Sequence, residues 1–353
     1  MSAGRAQGSR GRREGLAGRR DGIVLLIVLF FVLLLTTAVA TFVRRAAVDT
    51  LVARHRDASR QAEALARGGV EIAKALLLED RIREEAASLR VDSADEAWAR
   101  AGSRPLPVGE DATLRLQILD AGARLDLNAL FDQGQMRDDQ TLALLEALFR
   151  HVVDAMPGRP EDKPYDPGEL ARNLIDFVDA DESRIGSGAA EDAVYQNASP
   201  PYRAANRPLR SLDELRLVEG IDGPLFEALR PYLSVHPWIK GDGINPNTAP
   251  PHVLGLLYHG VAEDYRLADA DEVADVLARR DEGGLWCDAS ASDERCRSLA
   301  EVVPGTLYPP ATWSTEVFTV ISRATVGDVT RTVEAVLDRT EPEKPALLAW
   351  RMR

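Results

Sequence analysis

Residues 23–43, IVLLIVLFFVLLLTTAVATFV, contain no charged side chain and decide how the rest of the chain is organised. As an α-helix with a rise of about 1.5 Å per residue, this run is long enough to cross the hydrocarbon core of a bilayer. A secretory signal peptide has a shorter apolar region followed by a small-residue cleavage site, whereas this run continues into further helix-forming sequence. The sequence therefore predicts that residues 23–43 are the transmembrane part of a longer helix.

A basic leader precedes the apolar run and predicts its orientation. Residues 1–22 contain six arginines and two acidic residues, a net charge of +4, and the whole chain carries −13, which leaves −17 for residues 23–353. Basic residues before a span favour a cytoplasmic leader, and Arg44 and Arg45 after the span weaken this asymmetry without reversing it. We therefore expect a single-pass protein of the inner membrane with most of its chain in the periplasm. The acidic balance argues against general nucleic-acid binding, which needs clustered Lys and Arg.

Two cysteines, Cys287 and Cys296, lie close together in the polar stretch CDASASDERC. In a reducing cytosol they would suggest a metal site or no special role, whereas in an oxidising periplasm they predict a disulfide. Zinc is excluded because two thiols without nearby His or Cys do not complete its ligand set.

Residues 46–90 continue the helix beyond the membrane. They are rich in Ala, Leu, Arg and Glu, contain no Pro, and carry an apolar face at helical spacing, with Leu65, Ile72 and Leu76. Gly68 and Gly69 weaken the middle of this helix by about 1 kcal/mol each relative to Ala and allow a bend or a close contact.

Two segments have the period-two alternation of β-strands. Residues 113–119 and 123–127 flank Asp120-Ala121-Gly122 and predict a first hairpin, and residues 317–326 and 329–337 flank Gly327-Asp328 and predict a second. A last strand is expected at residues 346–350. The stretch between the hairpins is mostly helical, with helices at residues 139–154 and 166–178 and a third opened by Ser211 and Glu214 as a capping box.

The acidic stretch 176–192 is the best candidate for a ligand site. Asp179, Asp181 and Ser183 have the 1, 3, 5 spacing of an EF-hand loop, but Arg184 replaces its Gly and Glu191 falls one position too late, so this is not an EF-hand. The loop can still direct several hard oxygens towards one cation. On spacing alone a solvated acidic loop remains the alternative.

Several motifs together resemble one family, the minor pseudopilin K of the type II secretion system. They are the Gly22 boundary with its apolar run, ARLDLNAL (123–130), LIDFVDADESR (174–184), GAAEDAVY (188–195), PPYRAANRPLRSLDELRLVEGI (200–221) and INPNTAP (244–250). The resemblance implies that prepilin peptidase cuts between Gly22 and Ile23 and keeps the apolar helix. It implies as partners the minor pseudopilins I and J and the inner-membrane platform of the system.

The resemblance also assigns a place and a ligand. Most pilins have Glu as the fifth residue after the cut, whereas here the fifth residue is Ile27, as is usual for the K pseudopilin at the tip of the pseudopilus. The family binds Ca²⁺ in the acidic loop, which implies the ligands Asp179, Asp181, Glu191 and Asp192. Asp21 departs from the family, because a basic residue is more usual before the cut. A plain signal anchor without cleavage remains the alternative for this segment.

The sequence thus predicts an α+β fold in which a pilin-like long N-terminal helix packs on an antiparallel sheet, with a large α-helical domain inserted between the strands. The expected segments are a cytoplasmic leader (1–22), the transmembrane part of the helix (23–43), a periplasmic helix with the first hairpin (44–134), the inserted domain with the cation-binding loop (135–310) and the C-terminal strands (311–353). We expect a non-enzymatic protein that starts and caps a pseudopilus, because the five histidines lack metal-ligand spacing and no nucleophile or phosphate-loop motif occurs. The alternative function is a signal-anchored periplasmic protein that binds DNA through helix-hairpin-helix units near residues 212–233.

Overall fold

A computed structural model of the chain describes residues 18–132, 134–158, 164–236, 243–262, 264–288, 290–341 and 343–353. The α-helices are α1 (Gly18–Ala87), α2 (Ala97–Arg100), α3 (Gln140–Ala155), α4 (Pro167–Val178), α5 (Asp192–Tyr195), α6 (Gly223–Leu229), α7 (Pro251–Leu254) and α8 (Ala270–Asp281). The strands are β1 (Leu106–Pro107), β2 (Ala112–Asp120), β3 (Leu125–Asp126), β4 (Phe131–Asp132), β5 (Gln135–Met136), β6 (Leu233–Ser234), β7 (Tyr258–Val261), β8 (Asp264–Leu267), β9 (Leu285–Cys287), β10 (Cys296–Ser298), β11 (Thr306–Tyr308), β12 (Val317–Val326), β13 (Val329–Asp338) and β14 (Ala346–Met352).

The chain divides into two compact units, Met1–Arg60 and Gln61–Arg353. In the first unit, residues 22–60 belong to α1, and the side chains of residues 23–43 are all exposed. Helix α1 is long and apolar enough to cross a membrane, with a mean hydropathy of 3.1 in its most apolar window. Most of the predicted leader, residues 1–17, lies outside the described residues.

A five-stranded antiparallel sheet and the last turns of α1 form the first core of the second unit. The strand order is β1-β2-β12-β13-β14. Small and apolar helix residues, Ala66, Val70, Ala73 and Leu77, pack against the sheet side chains Leu114, Leu116, Ile118, Phe318 and Val320. The buried face of the helix is therefore rotated from the predicted one. Leu65 and Leu76 lie at its margin, and Ile72 is exposed.

The second predicted hairpin is confirmed, and the first is wrong. Strands β12 and β13 pair along their full length around Gly327, which has a positive φ of 53°. Strand β2 instead pairs with β12, from Ala112 opposite Val326 to Asp120 opposite Phe318. The chain does not reverse after Asp120, because its carboxylate accepts a hydrogen bond from the Gly122 amide and opens the 3-10 turn Ala121–Ala123. Strand β3 then pairs in parallel with β6, in a separate two-stranded sheet.

The segment between β2 and β12 is a separate layer with its own core. Helices α3 and α4 pack together and bury Leu144, Leu148, Leu174 and Phe177, among others. The predicted helices at 139–154 and 166–178 are observed as α3 and α4. The layer also contains a three-stranded sheet in the order β11-β7-β8, the parallel pair β9 and β10, and helix α8. The sequence patterns did not predict these elements. Because the insertion begins directly after Asp120, its first boundary lies before the predicted residue 135.

The predicted capping box at Ser211 is corrected. Residues Leu212–Leu217 form a 3-10 helix, and the Ser211 side chain makes no capping hydrogen bond. The Glu214 carboxylate accepts instead from Arg207 at 3.0 Å, so it is not free to reach back to the Ser211 amide. The fold class is nevertheless the expected one, an α+β arrangement with a long N-terminal helix, an antiparallel sheet and an inserted layer.

Candidate functional site

The acidic loop begins where helix α4 ends. Asp166 caps the start of this helix by accepting hydrogen bonds from the amides of Gly168 and Glu169, and Pro167 occupies the first helical position. At the other end, the amide of Asp179 donates to the carbonyl of Ile175 at 2.8 Å, so Asp179 is fixed directly after the last turn. Asp176 lies within that turn. Both carboxylates therefore face the negative end of the helix dipole, where a cation is favoured.

Backbone hydrogen bonds close the loop and return Glu191 to the end of α4. Ser183 and Ala190 form an isolated antiparallel bridge, and the amide of Arg184 donates to the carbonyl of Ala189 at 2.9 Å. The amide of Glu191 donates to the carbonyl of Glu182 at 3.3 Å. Two residues that are twelve positions apart in the sequence, Asp179 and Glu191, are thereby brought together.

Three buried carboxylates meet at this point. One oxygen each of Asp176, Asp179 and Glu191 lies within 4.8 Å of the other two, and the three residues are at most 8% exposed. Oδ1 of Asp179 and both carboxylate oxygens of Glu191 are buried without a hydrogen-bond partner. A buried unpaired carboxylate is costly, so these oxygens need either protons or a cation.

Burial and mutual repulsion raise the pKa values of the three carboxyls. The pKa of Asp179 rises to about 7 through burial first, then through the charges of Asp181 and Asp176. The pKa of Glu191 also rises to about 7, through burial and then the charges of Asp179, Asp176 and Asp181, against the side-chain amide of Asn206, which lowers it. Burial raises the pKa of Asp176 as well, against the amide of Ile185 and the guanidinium of Arg184, which lower it. Burial and neighbouring negative charges both favour the protonated form of a carboxyl group, so the two effects raise its pKa together.

The predicted ligand set is brought together only in part. Asp179 and Glu191 lie in the cluster. Asp181 is exposed, and its carboxylate accepts from the amide of Ser183 at 2.7 Å. Asp192 accepts from the amide of Ala204 at 3.1 Å and lies 3.6 Å from the Arg203 guanidinium, so its charge is already engaged.

Sequence reasoning missed two oxygen donors near the cluster. Asp176 lies inside a predicted helix, and its spacing to Asp179 is the ordinary helical i, i+3. Asn206 comes from another segment, where its backbone φ of 43° and its bond to the carbonyl of Asp181 at 2.6 Å hold it against the loop. Its Oδ1 atom is buried without a partner. The helical period could have indicated Asp176, whereas no local signal marks Asn206.

A second group of carboxylates, Asp80, Asp92 and Glu96, meets the same distance criterion but is neutralised by the protein itself. Arg339 is fully buried, donates to Asp80 at 2.7 Å and also pairs with Asp92. Arg81, also buried, lies beside Glu84 and Glu316. Because the Arg339 guanidinium already lies between Asp80 and Asp92, a metal ion in this group would meet a like charge. The loop cluster contains one arginine, Arg184, which lies 3.6 Å from Asp176 and also donates to Asn173 at 2.7 Å and Glu219 at 2.8 Å. Asp179 and Glu191 have no such ion pair among the described residues.

The donor set of the loop suits a hard cation. Ca²⁺ binds carboxylate and amide oxygens at about 2.3–2.6 Å in irregular geometry, and this matches three oxygens within 4.8 Å of one another. The described residues form no metal-compatible group that contains His or Cys.

The remaining predicted site residues lie elsewhere. Cys287 and Cys296 are bonded to each other, with a Cα–Cα distance of 5.4 Å, at the ends of β9 and β10 that pair in parallel. Gly22 and Ile23 are exposed within α1.

The segment with a helix-hairpin-helix pattern is occupied by internal contacts. Asp222 caps α6 through the amide of Leu225 and accepts from the hydroxyl of Tyr165. Gly220 has a positive φ of 85°, and a Cβ atom there would meet Leu170 at 2.9 Å. The turn therefore packs against α4 rather than offering its amides to phosphates.

Comparison with known proteins gives one family throughout. Residues 123–238 match the family model described as type II secretion system (T2SS), protein K. Type II secretion system protein K of Pseudomonas aeruginosa is 27% identical over 93% of this chain and 91% of its own length. Protein K of Klebsiella pneumoniae is 30% identical over 73% of this chain and 75% of its own length.

A solved structure shares the fold. It is the crystal structure of the GspK-GspI-GspJ complex from the type 2 secretion system of enterotoxigenic Escherichia coli. The matching chain has a TM-score of 0.59 and 20% identity, and the match covers 85% of this chain and 99% of that one. None of these relatives supports a DNA-binding role. The chain belongs to the type II secretion system protein K family and is a minor pseudopilin of that system.

Proposed function

We propose that this pseudopilin starts and caps the pseudopilus, as a non-enzymatic subunit anchored in the inner membrane with most of its chain in the periplasm. The observation that carries the proposal is the inserted layer, which separates β2 from β12 by almost two hundred residues although the two strands are neighbours in the sheet. Such an insertion suits a subunit above which no further subunit stacks. Ile27 is consistent with a subunit at the tip of the filament, because a glutamate at residue 27 of such a subunit would be buried without a partner charge.

The position in the filament can be tested directly. An epitope tag in the full-length chain should label assembled pseudopili at one end, while a tag on the major pseudopilin labels their whole length. Labelling of this chain at intervals along the filament would contradict a capping role.

The minor pseudopilins I and J are the proposed partners, supported by the GspK-GspI-GspJ complex that shares this fold. The full-length chain, extracted in mild detergent, should co-purify with tagged I and J and with the inner-membrane platform. A tagged inner-membrane protein from outside the secretion system serves as the control. Recovery of equal amounts of the chain with tagged I and J and with the control protein would contradict the proposed partnership.

Prepilin peptidase is proposed to cut between Gly22 and Ile23. The basic leader and the apolar run that starts at Ile23 support this. Gly22→Leu should accumulate the uncut precursor, and Gly18→Leu, which changes another glycine of the leader, should be processed normally. Mass spectrometry of the N-terminus of wild type and of both variants distinguishes cut from uncut protein. If wild type retains residues 1–22, the chain carries a plain signal anchor.

The acidic loop is proposed to bind Ca²⁺ through Asp176, Asp179, Glu191 and the amide oxygen of Asn206, with Asp181 and Asp192 as the outer charges of the site. The cation supplies positive charge to a buried cluster in which Asp179 and Glu191 have carboxylate oxygens without partners. Titration calorimetry of the full-length chain should detect Ca²⁺ binding that Glu191→Gln abolishes. Mg²⁺ should bind weakly, because it demands near-octahedral geometry. Equal heats for wild type and Glu191→Gln would refute the site.

A disulfide between Cys287 and Cys296 is proposed for the mature protein, supported by its geometry and by the proposed oxidising compartment. Peptide mapping without reductant should link the two cysteines in protein from the native compartment. Two thiols that alkylate freely would refute it.

A further inference from the structure

The five-stranded sheet has a second face, which we call the outer face, that points away from α1. Side chains alternate along each strand, so Leu114, Leu116 and Ile118 are buried towards α1 while Arg115 and Gln117 are exposed on the other side. The same alternation leaves Arg323 exposed on β12.

The register of the strands places arginines side by side on the outer face. Arg115 lies directly opposite Arg323, and Arg323 lies opposite Thr332 on the next strand. Thr332 exchanges two backbone hydrogen bonds with Arg353, at 3.0 and 2.9 Å. These positions form one transverse row, which we call the arginine row, with Arg115, Arg323 and Arg353 as its basic members.

The arginine row is only partly neutralised within the protein. In the neighbouring row, Glu334 lies opposite Arg351 and 3.5 Å from the guanidinium of Arg353. The two rows thus hold four arginines and one glutamate. In the part of the chain that the structure describes, Arg115 and Arg323 have no acidic group within 4.0 Å. Like charges directly opposite each other destabilise a sheet, and here they do so in a protein whose net charge is −13.

Half-buried apolar side chains lie beside these charges on the same face. Ile321 shares a row with Glu334, and the next row contains Leu119, Thr319, Val336 and Ala349. Arginine next to apolar side chains is typical of protein interfaces, where the apolar side chains pack against those of the partner. The composition therefore favours a polypeptide as the ligand.

We propose that the outer face binds an acidic polypeptide segment of a partner protein, whose carboxylates pair with Arg115 and Arg323 while its apolar side chains cover Ile321, Leu119 and Val336. This interaction is separate from the capping role and from the acidic loop. Since the guanidinium groups are exposed, the attraction should weaken as salt is added.

The experiment uses the full-length chain in a non-ionic detergent and the fluorescent peptide Glu-Ser-Glu-Ser-Val-Ser-Val, which presents its charged and apolar side chains on one face when extended. Wild type should bind the peptide at low salt, and the double variant Arg115→Gln/Arg323→Gln should bind it about tenfold more weakly. The matched control, Arg83→Gln/Arg150→Gln, removes the same charge from exposed arginines that pair with glutamates outside the sheet, and should bind like wild type.

Three results would overturn the proposal. They are equal weakening in both double variants, no difference between the double variant and wild type, and displacement of the peptide by glycerol phosphate at concentrations where glutamate has no effect. The last result would assign the face to phosphate groups. Replacing both glutamates of the peptide with glutamine should abolish binding. Melting temperatures of the variants show that each is folded.

Discussion

Arg339 neutralises the buried charge where the end of β13 meets α1. Its guanidinium donates to Asp80 at 2.7 Å and to the carbonyl of Thr315 at 3.0 Å, pairs with Asp92, and lies 4.6 Å from the ring centre of Phe318. Burial lowers the pKa of Arg339, but the carboxylates of Asp92, Glu84 and Asp80 raise it by more. The side chain therefore stays charged and ties the sheet to the helix.

Replacing Arg339 with Met should destabilise the protein by about 3–5 kcal/mol, because Asp80 and Asp92 would remain buried without their partner. Arg339→Lys should recover only part of the loss, since one ammonium cannot reproduce the planar fork. Urea unfolding of the full-length chain in detergent measures the change. Arg83→Met, which removes an exposed pair with Glu79, should cost at most about 1 kcal/mol. Comparable losses in the two variants would mean that burial of the pair has no energetic effect.

Neutralising the acidic loop should stabilise the protein when calcium is absent. Asp179→Asn and Glu191→Gln each remove a buried charge that has no partner, which should raise the melting temperature in chelator by about 2–4 °C. The same variants should lose the stabilisation that Ca²⁺ gives to wild type. Asp213→Asn, at an exposed position, is the control and should leave both values unchanged. A fall in melting temperature in chelator would show that these carboxylates make favourable contacts.

The sequence could indicate the loop but not its ligand set. Acidic residues concentrated between residues 176 and 192 mark the segment, and they include Asp179 and Glu191. Whether a carboxylate points inward depends on the backbone bonds that close the loop, and these turn Asp181 outward and engage Asp192 with Ala204. The contribution of Asn206 depends on a contact between distant segments, which no local pattern encodes.

Among the elements, helix α1 contains two adjacent glycines with opposite surroundings. A Cβ atom on Gly68 would have no neighbour within 4 Å, whereas one on Gly69 would lie 2.1 Å from Oγ and 3.1 Å from Cβ of Ser322. Gly69 thus permits the close approach of the helix to β12, which is one of the two roles that the sequence allowed for this pair.

Gly68→Ala should stabilise the protein by about 1 kcal/mol, because alanine restricts the unfolded chain and fits the helix without a clash. Gly69→Ala should destabilise it by about 1–3 kcal/mol, since the fully buried Ser322 has to move or the helix has to lift from the sheet. The two variants carry the same glycine-to-alanine substitution at adjacent positions, so each serves as the control for the other in thermal unfolding. Equal effects would contradict the close contact.

The strands illustrate which elements local patterns can specify. The hairpin of β12 and β13 has a two-residue turn with glycine at a positive φ, so its pairing partner is adjacent in sequence. Strand β2 alternates just as clearly, yet apart from the two-residue strand β1 its partner is β12, which follows after the whole inserted layer. The alternation predicted the strand, but the partner is decided by which distant strand completes the apolar face under α1.

At the scale of the molecule, two separate cores explain why an insertion of this size is compatible with the sheet. One core lies between α1 and the sheet, and the other is enclosed by the helices and small strands of the inserted layer. The buried Asn245 connects the layers, because its side chain donates to the carbonyl of Asp92 at 3.1 Å and to the carboxylate of Asp120 at 3.0 Å. The motif INPNTAP is therefore a structural junction.

Proton and calcium binding should compete across the whole molecule. In the folded state the carboxyls of Asp179 and Glu191 have pKa values of about 7, whereas unfolded carboxyls titrate near pH 4. Between these values the folded state binds more protons, so in chelator their stabilising contribution is complete below about pH 4 and is lost as the pH rises towards 7. The buried Asp126 and the half-buried Glu96, with pKa values of about 7, act in the same direction.

Saturating Ca²⁺ should reverse this trend at the loop, because the cation needs both carboxylates deprotonated and stabilises only the folded state. We expect the difference in melting temperature between excess Ca²⁺ and chelator to be small near about pH 5 and to grow until about pH 8. Asp126 and Glu96 do not contact the site, so their contributions to the melting temperature are the same with Ca²⁺ and with chelator and cancel in the difference. The double variant Asp179→Asn/Glu191→Gln should show no difference at any pH. A calcium effect in wild type that is equally large at both ends of this range would mean that the cation binds through groups other than these two carboxylates.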